Sequence, residues 1–89
     1  MKLLYCTECD DVVRLWHHER SCECGKTGGK YIDGLKAEIW GPGLPFGIDN
    51  MSFIDAGRNR PKEGLGSPFE AFVIPEHSPN VMVIEHEET

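Results

Sequence analysis

Cys6-Thr7-Glu8-Cys9 and, after twelve intervening residues, Cys22-Glu23-Cys24-Gly25 hold all four cysteines of this 89-residue chain. A chain of this size buries a modest part of its surface and is only marginally stable by packing alone. Small scaffolds of the kind are commonly held by disulfides or by a metal. Two cysteines on one tight turn place two sulfurs on the same ion, and backbone N–H groups of the turn can bond to those sulfurs. Two such turns supply four soft donors, the tetrahedral set that zinc takes at about 2.0–2.3 Å. Gly25, directly after a cysteine, suits the positive φ that such turns often require. The spacing therefore predicts a structural Zn2+ on Cys6, Cys9, Cys22 and Cys24.

These residues, over roughly 3–26, resemble the zinc-ribbon group. One feature departs from it: the second knuckle is C-x-C where the group has C-x2-C. The shorter loop leaves the fourth ligand open between Cys24 and a histidine, His17 or His18. Iron in a rubredoxin-like site is a further alternative, but that pattern has C-x2-C at both knuckles. Four thiolates around zinc leave no position for water or substrate, so the expectation is a structural ion, not a catalytic one. Beyond residue 30 the chain resembles small uncharacterised proteins of bacteria and their phages. They share a Cys-Gly-x-x-Gly-Gly-x-Tyr stretch like Cys24 to Tyr31 and a Phe-x-Ala-Phe-Val-Ile stretch like Phe69 to Ile74. That likeness implies no activity.

Outward from the cysteines, Leu3-Leu4-Tyr5 and Val12-Val13-Arg14-Leu15-Trp16 are rich in strand-forming residues. Asp33-Gly34 predicts a two-residue hairpin turn. After it Leu35, Ala37 and Ile39 alternate with Lys36, Glu38 and Trp40, which predicts one buried and one wetter face, with Trp40 on the wetter one. Residues 41–47 carry three glycines and two prolines and read as a loop. A helix is expected over 49–58, capped by Asp49 or Asn50, with Met51, Ile54 and Phe53 as its buried stripe and Gly57 as its terminator. Residues 60–68 read as a second loop. Residues 70–74 and 81–84 read as two strands closing as a hairpin, and 85–89 as a frayed acidic tail. The expected fold is α+β in one domain, residues 1–89: a zinc-binding segment over 1–30, then a β-rich body over 31–84. Its core is a small zinc-stapled antiparallel sheet with one short helix.

The charge is −6, with five basic and five acidic side chains in residues 1–30 but six acids and no Lys or Arg from Glu63 onward. Such a surface repels a phosphate backbone, which argues against nucleic acid as partner despite the zinc-ribbon likeness. No segment approaches the roughly 20 apolar residues of a membrane span, and the apolar run after Lys2 is too short for a signal peptide. A cytoplasmic protein is expected, where cysteines bind metals more often than they pair.

Several residues are candidates for a ligand site. Lys26 and Lys30 flank a Gly28-Gly29 turn whose N–H groups could face one anion, although the spacing is not that of a phosphate loop. The same glycines suit a plain turn leaving the knuckle. Arg58, Arg60 and Lys62 could clamp a phosphate or carboxylate, or complement the helix C-terminus. Trp40 could stack on a planar group, or serve the core. His17, His18, His77 and His86 lie near no nucleophile motif, and no hydrolase signature is present. The expectation is a non-enzymatic protein binding or sequestering a small anionic ligand such as a nucleotide, with a homodimer holding the ligand between subunits as one arrangement. The alternative is a protein-interaction module, such as a phage or bacterial accessory factor acting on a host protein. A small hydrolase ranks below both.

Overall fold

The computed structural model describes residues 1–85. Eight short strands and one helix follow one another as β1 (Lys2–Tyr5), β2 (Val12–Arg14), β3 (Arg20–Ser21), β4 (Gly28–Tyr31), β5 (Ala37–Trp40), β6 (Leu44–Ile48), α1 (Asn50–Arg58), β7 (Ala71–Val73) and β8 (Val81–Val83). They form two four-stranded sheets, ordered β2-β1-β6-β7 and β3-β4-β5-β8. The first is antiparallel throughout; the second ends in a parallel pair, β5 with β8. The α+β expectation holds, with two small sheets in place of one.

The sheets share one core. Leu4, Val13 and Leu15 reach it from the first sheet, Ala37, Ile39 and Val81 from the second, and Ile74 from the segment between β7 and β8. Cys6 and Cys22 belong to the same cluster. The two layers are also joined through polar groups: the Lys2 N–H donates to the Tyr31 hydroxyl at 3.1 Å, and Tyr31 N–H to the Trp16 carbonyl at 2.7 Å.

Four expectations about elements are corrected. Residues 44–48 form β6, at the centre of the first sheet and not in a loop. The Pro45 carbonyl accepts from Ile74 N–H. A residue's N–H and C=O point to the same side in an antiparallel ladder, so the donor that proline lacks falls at the far end of β7, where it costs one bond. The β4–β5 connection is longer than a two-residue turn: Tyr31 pairs with Ala37, and the Asp33 carboxylate accepts from the N–H groups of Leu35 and Lys36. β7 and β8 do not form a hairpin. Pro75 and Pro79 stand in the connection, which carries the chain from one sheet to the other so that Ile74 and Val81 both enter the shared core.

The fourth correction concerns α1. Asp49 caps it as expected, its side chain accepting from Met51 N–H. The helix runs through Gly57 and ends at Asn59, whose N–H bonds to the Asp55 carbonyl. It buries no residue: Met51 is 63% exposed, and Phe53 and Ile54 are exposed as well. Phe53 meets the ring of Phe69 edge-on, 4.9 Å between centroids. No helix among the described residues is long and apolar enough to cross a membrane. His86 and the acidic tail beyond Glu85 lie outside the described residues.

Candidate functional site

β1 delivers Cys6 to the first knuckle. The turn over 7–9 is closed by Asp10 N–H on the Cys6 carbonyl and Cys6 N–H on the Asp11 carbonyl, both at 2.9 Å. Asp10 takes a positive φ of 62° to make this reversal, and the Tyr5 hydroxyl holds its carboxylate. Glu8 N–H points at the Cys6 sulfur, 3.4 Å away, the backbone-to-sulfur bond that orients a metal thiolate. β3 delivers Cys22 to the second knuckle. Gly25 N–H bonds to the Cys22 carbonyl at 3.0 Å, and Gly25 has the positive φ, 76°, expected of it. A further bond fastens the knuckles together: Glu23 N–H donates to the Asp11 carboxylate at 2.9 Å.

The four sulfurs lie within 4.8 Å of one another. Cys24 Sγ is 3.7 Å from Cys6 Sγ and 3.4 Å from Cys22 Sγ. A disulfide needs about 2.0 Å, and all four cysteines are free. Sulfurs at about 2.3 Å from a tetrahedral ion are separated by about 3.8 Å, close to the spacings seen. Cys24 is thus the fourth member of the group, and the C-x-C knuckle is long enough to bring it there. No histidine among the described residues joins it. Cys6 and Cys22 are buried, Cys9 half-buried and Cys24 exposed.

The electrostatics of the group suit a cation. Burial by itself would raise the Cys22 thiol, but the Thr27 backbone and then the thiols of Cys24, Cys6 and Cys9 bond to its sulfur and hold it at about 6. Cys24 moves the other way: the Lys26 backbone favours its thiolate, yet desolvation and the sulfurs of Cys22, Cys9 and Cys6 push it up to about 12. One thiolate is welcomed by its neighbours, and each further one is resisted as a like charge. A divalent ion at the centre removes that resistance and releases the remaining protons.

The other candidate residues do not gather into one place. Gly28 and Gly29 sit inside β4, buried, not in an open turn. A Cβ on Gly28 would stand 2.6 Å from the Trp40 ring, and one on Gly29 2.4 Å from the Glu38 carbonyl oxygen. These glycines let β3 and β5 approach. Trp40 is 4% exposed, which corrects its expected place on a wet face. It does lie opposite Ala37 and Ile39 in pleat, but it covers Gly28, and its indole N–H donates to Glu19 at 2.9 Å. Lys26 is exposed on the second knuckle. Lys30 faces Glu38 at 3.8 Å. Arg60 and Lys62 line an open groove of about 410 Å³ with Phe53, Leu65 and Phe69; Arg58, Lys26, Lys30 and Trp40 are not among its walls.

A feature the sequence reading missed is the outer face of the first sheet. Register and pleat put Leu3, Tyr5, Val12, Arg14, Leu44, Phe46, Ile48, Ala71 and Val73 on the side away from the core. Arg14 is the one charged group in that set. Tyr5, Leu44, Phe46, Ala71, Phe72 and Val73 enclose a shallow apolar depression of about 400 Å³. An antiparallel sheet ordinarily turns one polar face to water; here the first sheet is apolar on both. The signal was present in the apolar alternation of Leu44, Phe46 and Ile48, hidden by the prolines and glycines around it. No protein-family model, no curated protein and no solved structure matches this chain, so the site is read from its own geometry.

Proposed function

We propose that this chain is a non-enzymatic protein-interaction module, held in shape by one structural zinc ion on Cys6, Cys9, Cys22 and Cys24. The observation that carries the reading is the apolar outer face of the first sheet, which spans all four strands. Contiguous exposed apolar surface of this kind marks an interaction site. The zinc assignment is supported by the all-cysteine donor set and by the sulfur spacings, and such a site is coordinatively closed and supplies stability, not chemistry. The chain's charge of −6, made more negative by about two once four thiolates hold a dication, favours a protein partner whose own apolar patch is ringed by basic side chains.

The test pairs Val12→Glu with Leu44→Glu, two exposed positions of that face which leave the core untouched. The double variant should keep its zinc and its melting temperature and lose any partner that the wild-type chain captures. Equal capture by the variant and the wild type would defeat the reading.

A small anionic ligand is the second reading, favoured by one observation: Arg60 and Lys62 share a groove with the Phe53–Phe69 ring pair. A nucleotide binding there raises the melting temperature of the wild type and leaves that of Arg60→Ala/Lys62→Ala unmoved. No shift with nucleoside mono-, di- or triphosphates would remove this reading.

A further inference from the structure

β7 is the outer strand of the first sheet, and all three of its residues are exposed. Its bonding pattern is fixed by its neighbours. The Glu70 carbonyl accepts from Asp49 N–H, and Ile74 N–H donates to the Pro45 carbonyl. Residues 70, 72 and 74 therefore direct their backbone groups toward β6, and residues 71 and 73 direct theirs away from the sheet. Ala71 and Val73 each present an N–H and a C=O to the open side of β7. The strand is short, but among residues 71–73 there is no Lys, no Pro and no charge to turn another strand away.

We propose that β7 pairs, antiparallel and about a two-fold axis through Phe72, with β7 of a second copy of this chain. The occupant is a second copy because the strand is complementary to itself. About that axis Ala71 faces the partner's Val73 and Val73 faces the partner's Ala71, so all the outward groups pair, two bonds at each of the two positions. Phe72 comes opposite the partner's Phe72 at the intervening position, where no bonds form, and its ring, lying back over Gly47, does not obstruct the approach. Glu70 comes opposite the partner's Ile74, so like charges are not opposed. Pro68 and Pro75 limit the pairing to this short stretch, since a ladder cannot continue through a residue without a donor. Sliding the strand by two places toward its C-terminus sets Ala71 against the partner's Pro75 and loses a bond, which disfavours that register. The resulting interface is isologous, as expected of a closed dimer. It merges two four-stranded sheets into one of eight strands and doubles the apolar outer face described above. The pairing does not depend on that face binding a third protein.

The measurement is the mass in solution of the zinc-loaded chain over a range of concentrations, together with hydrogen exchange at single amides. Twice the 10.0 kDa of one chain is expected at the upper end, and because both copies are acidic, added salt should strengthen the dimer. In the dimer the Ala71 and Val73 amides become protected, and on dilution they alone lose protection while Phe72, bonded to β6, keeps it. Ala71→Pro removes one outward donor from each copy, two bonds of the dimer, without touching the β6 ladder; it should retain zinc and its melt and weaken the dimer by about tenfold to a hundredfold. If that variant fails to fold, the exchange of the wild-type amides decides. A monomer at the highest concentration reached overturns the proposal, and so does a dimer in which Ala71 and Val73 stay unprotected, since that dimer uses another surface. Loss of partner capture in Val12→Glu/Leu44→Glu is a separate readout, so the two readings fail independently.

Discussion

A Cβ on Gly28 would stand 2.5 Å from the Arg20 carbonyl oxygen and 2.6 Å from Cζ2 of Trp40. The first of these neighbours is backbone and cannot swing aside. The indole fills the space that a side chain at 28 would take, with its N–H satisfied by Glu19. Beneath the other edge of the same strand pair, Thr27 is fully buried, its hydroxyl donating to the Trp40 carbonyl and accepting from Gly43 N–H. We expect Gly28→Ala to lower stability by about 1–3 kcal/mol, the usual cost of overpacking, and to shift Trp40 emission toward that of a hydrated indole. Gly34→Ala is the control: nothing lies within 4 Å of its added Cβ, and it should hold or slightly raise the melting temperature. Equal melts for the two variants would show that Gly28 is not required by its neighbours. The period-two pattern of residues 35–40 placed Trp40 on the correct side of its strand. Its burial was not legible, because that depends on which residue of another strand lies opposite, and a glycine there is not visible in local sequence.

Local chemistry decides some elements and long-range pairing decides others. The β4–β5 turn is a case of the first: the Asp33 carboxylate accepts from Lys36 N–H at 2.6 Å and Leu35 N–H at 2.7 Å, and these two bonds hold its carboxyl below the ordinary value of 3.8. A carboxyl depressed in the folded state contributes stability that is complete above its unfolded pKa and is lost as pH falls through the folded one. We expect the Leu35 and Lys36 amide resonances to move together as pH drops below about 4, and Asp33→Asn to abolish that movement while keeping the turn at neutral pH. The same titration in the variant would assign it to another group. The Asp49 cap was legible for a similar reason, since its partner is two residues away. The buried stripe of α1 was not, for the apolar residues are present but the two sheets close their core without them. The pairing of β7 and β8 was likewise beyond local reading: adjacency favours a hairpin, but Phe72 finds its place across Gly47 and β8 finds the free edge of β5.

The whole molecule is extended for its length. Its radius of gyration is 14.6 Å and its extents 48 × 27 × 22 Å, against about 12 Å for the radius of a compact chain of 89 residues. Little of it is core, and two of the core residues, Cys6 and Cys22, are themselves members of the sulfur group. Leu4, Val13 and Leu15 from one sheet and Ala37, Ile39 and Val81 from the other pack into that same cluster, so an ion held by the four sulfurs would be tied directly to the apolar contacts between the sheets. Structural zinc contributes about 10–16 kcal/mol of apparent binding energy at neutral pH in small domains, comparable to the whole stability of a small protein. Without a cation the four clustered thiols resist sharing charge. We expect a strong chelator to abolish the cooperative melt of both sheets together, and one equivalent of zinc per chain to restore it. Cys6→Ser and Cys22→Ser should reproduce the chelated state without chelator. Because α1 is outside the core, its removal from the sheets cannot rescue or mimic this loss. A metal-free chain that kept its dispersed amide spectrum would mean that apolar packing between the sheets suffices, and the sulfur group would then have to be explained by something other than the stability of the fold.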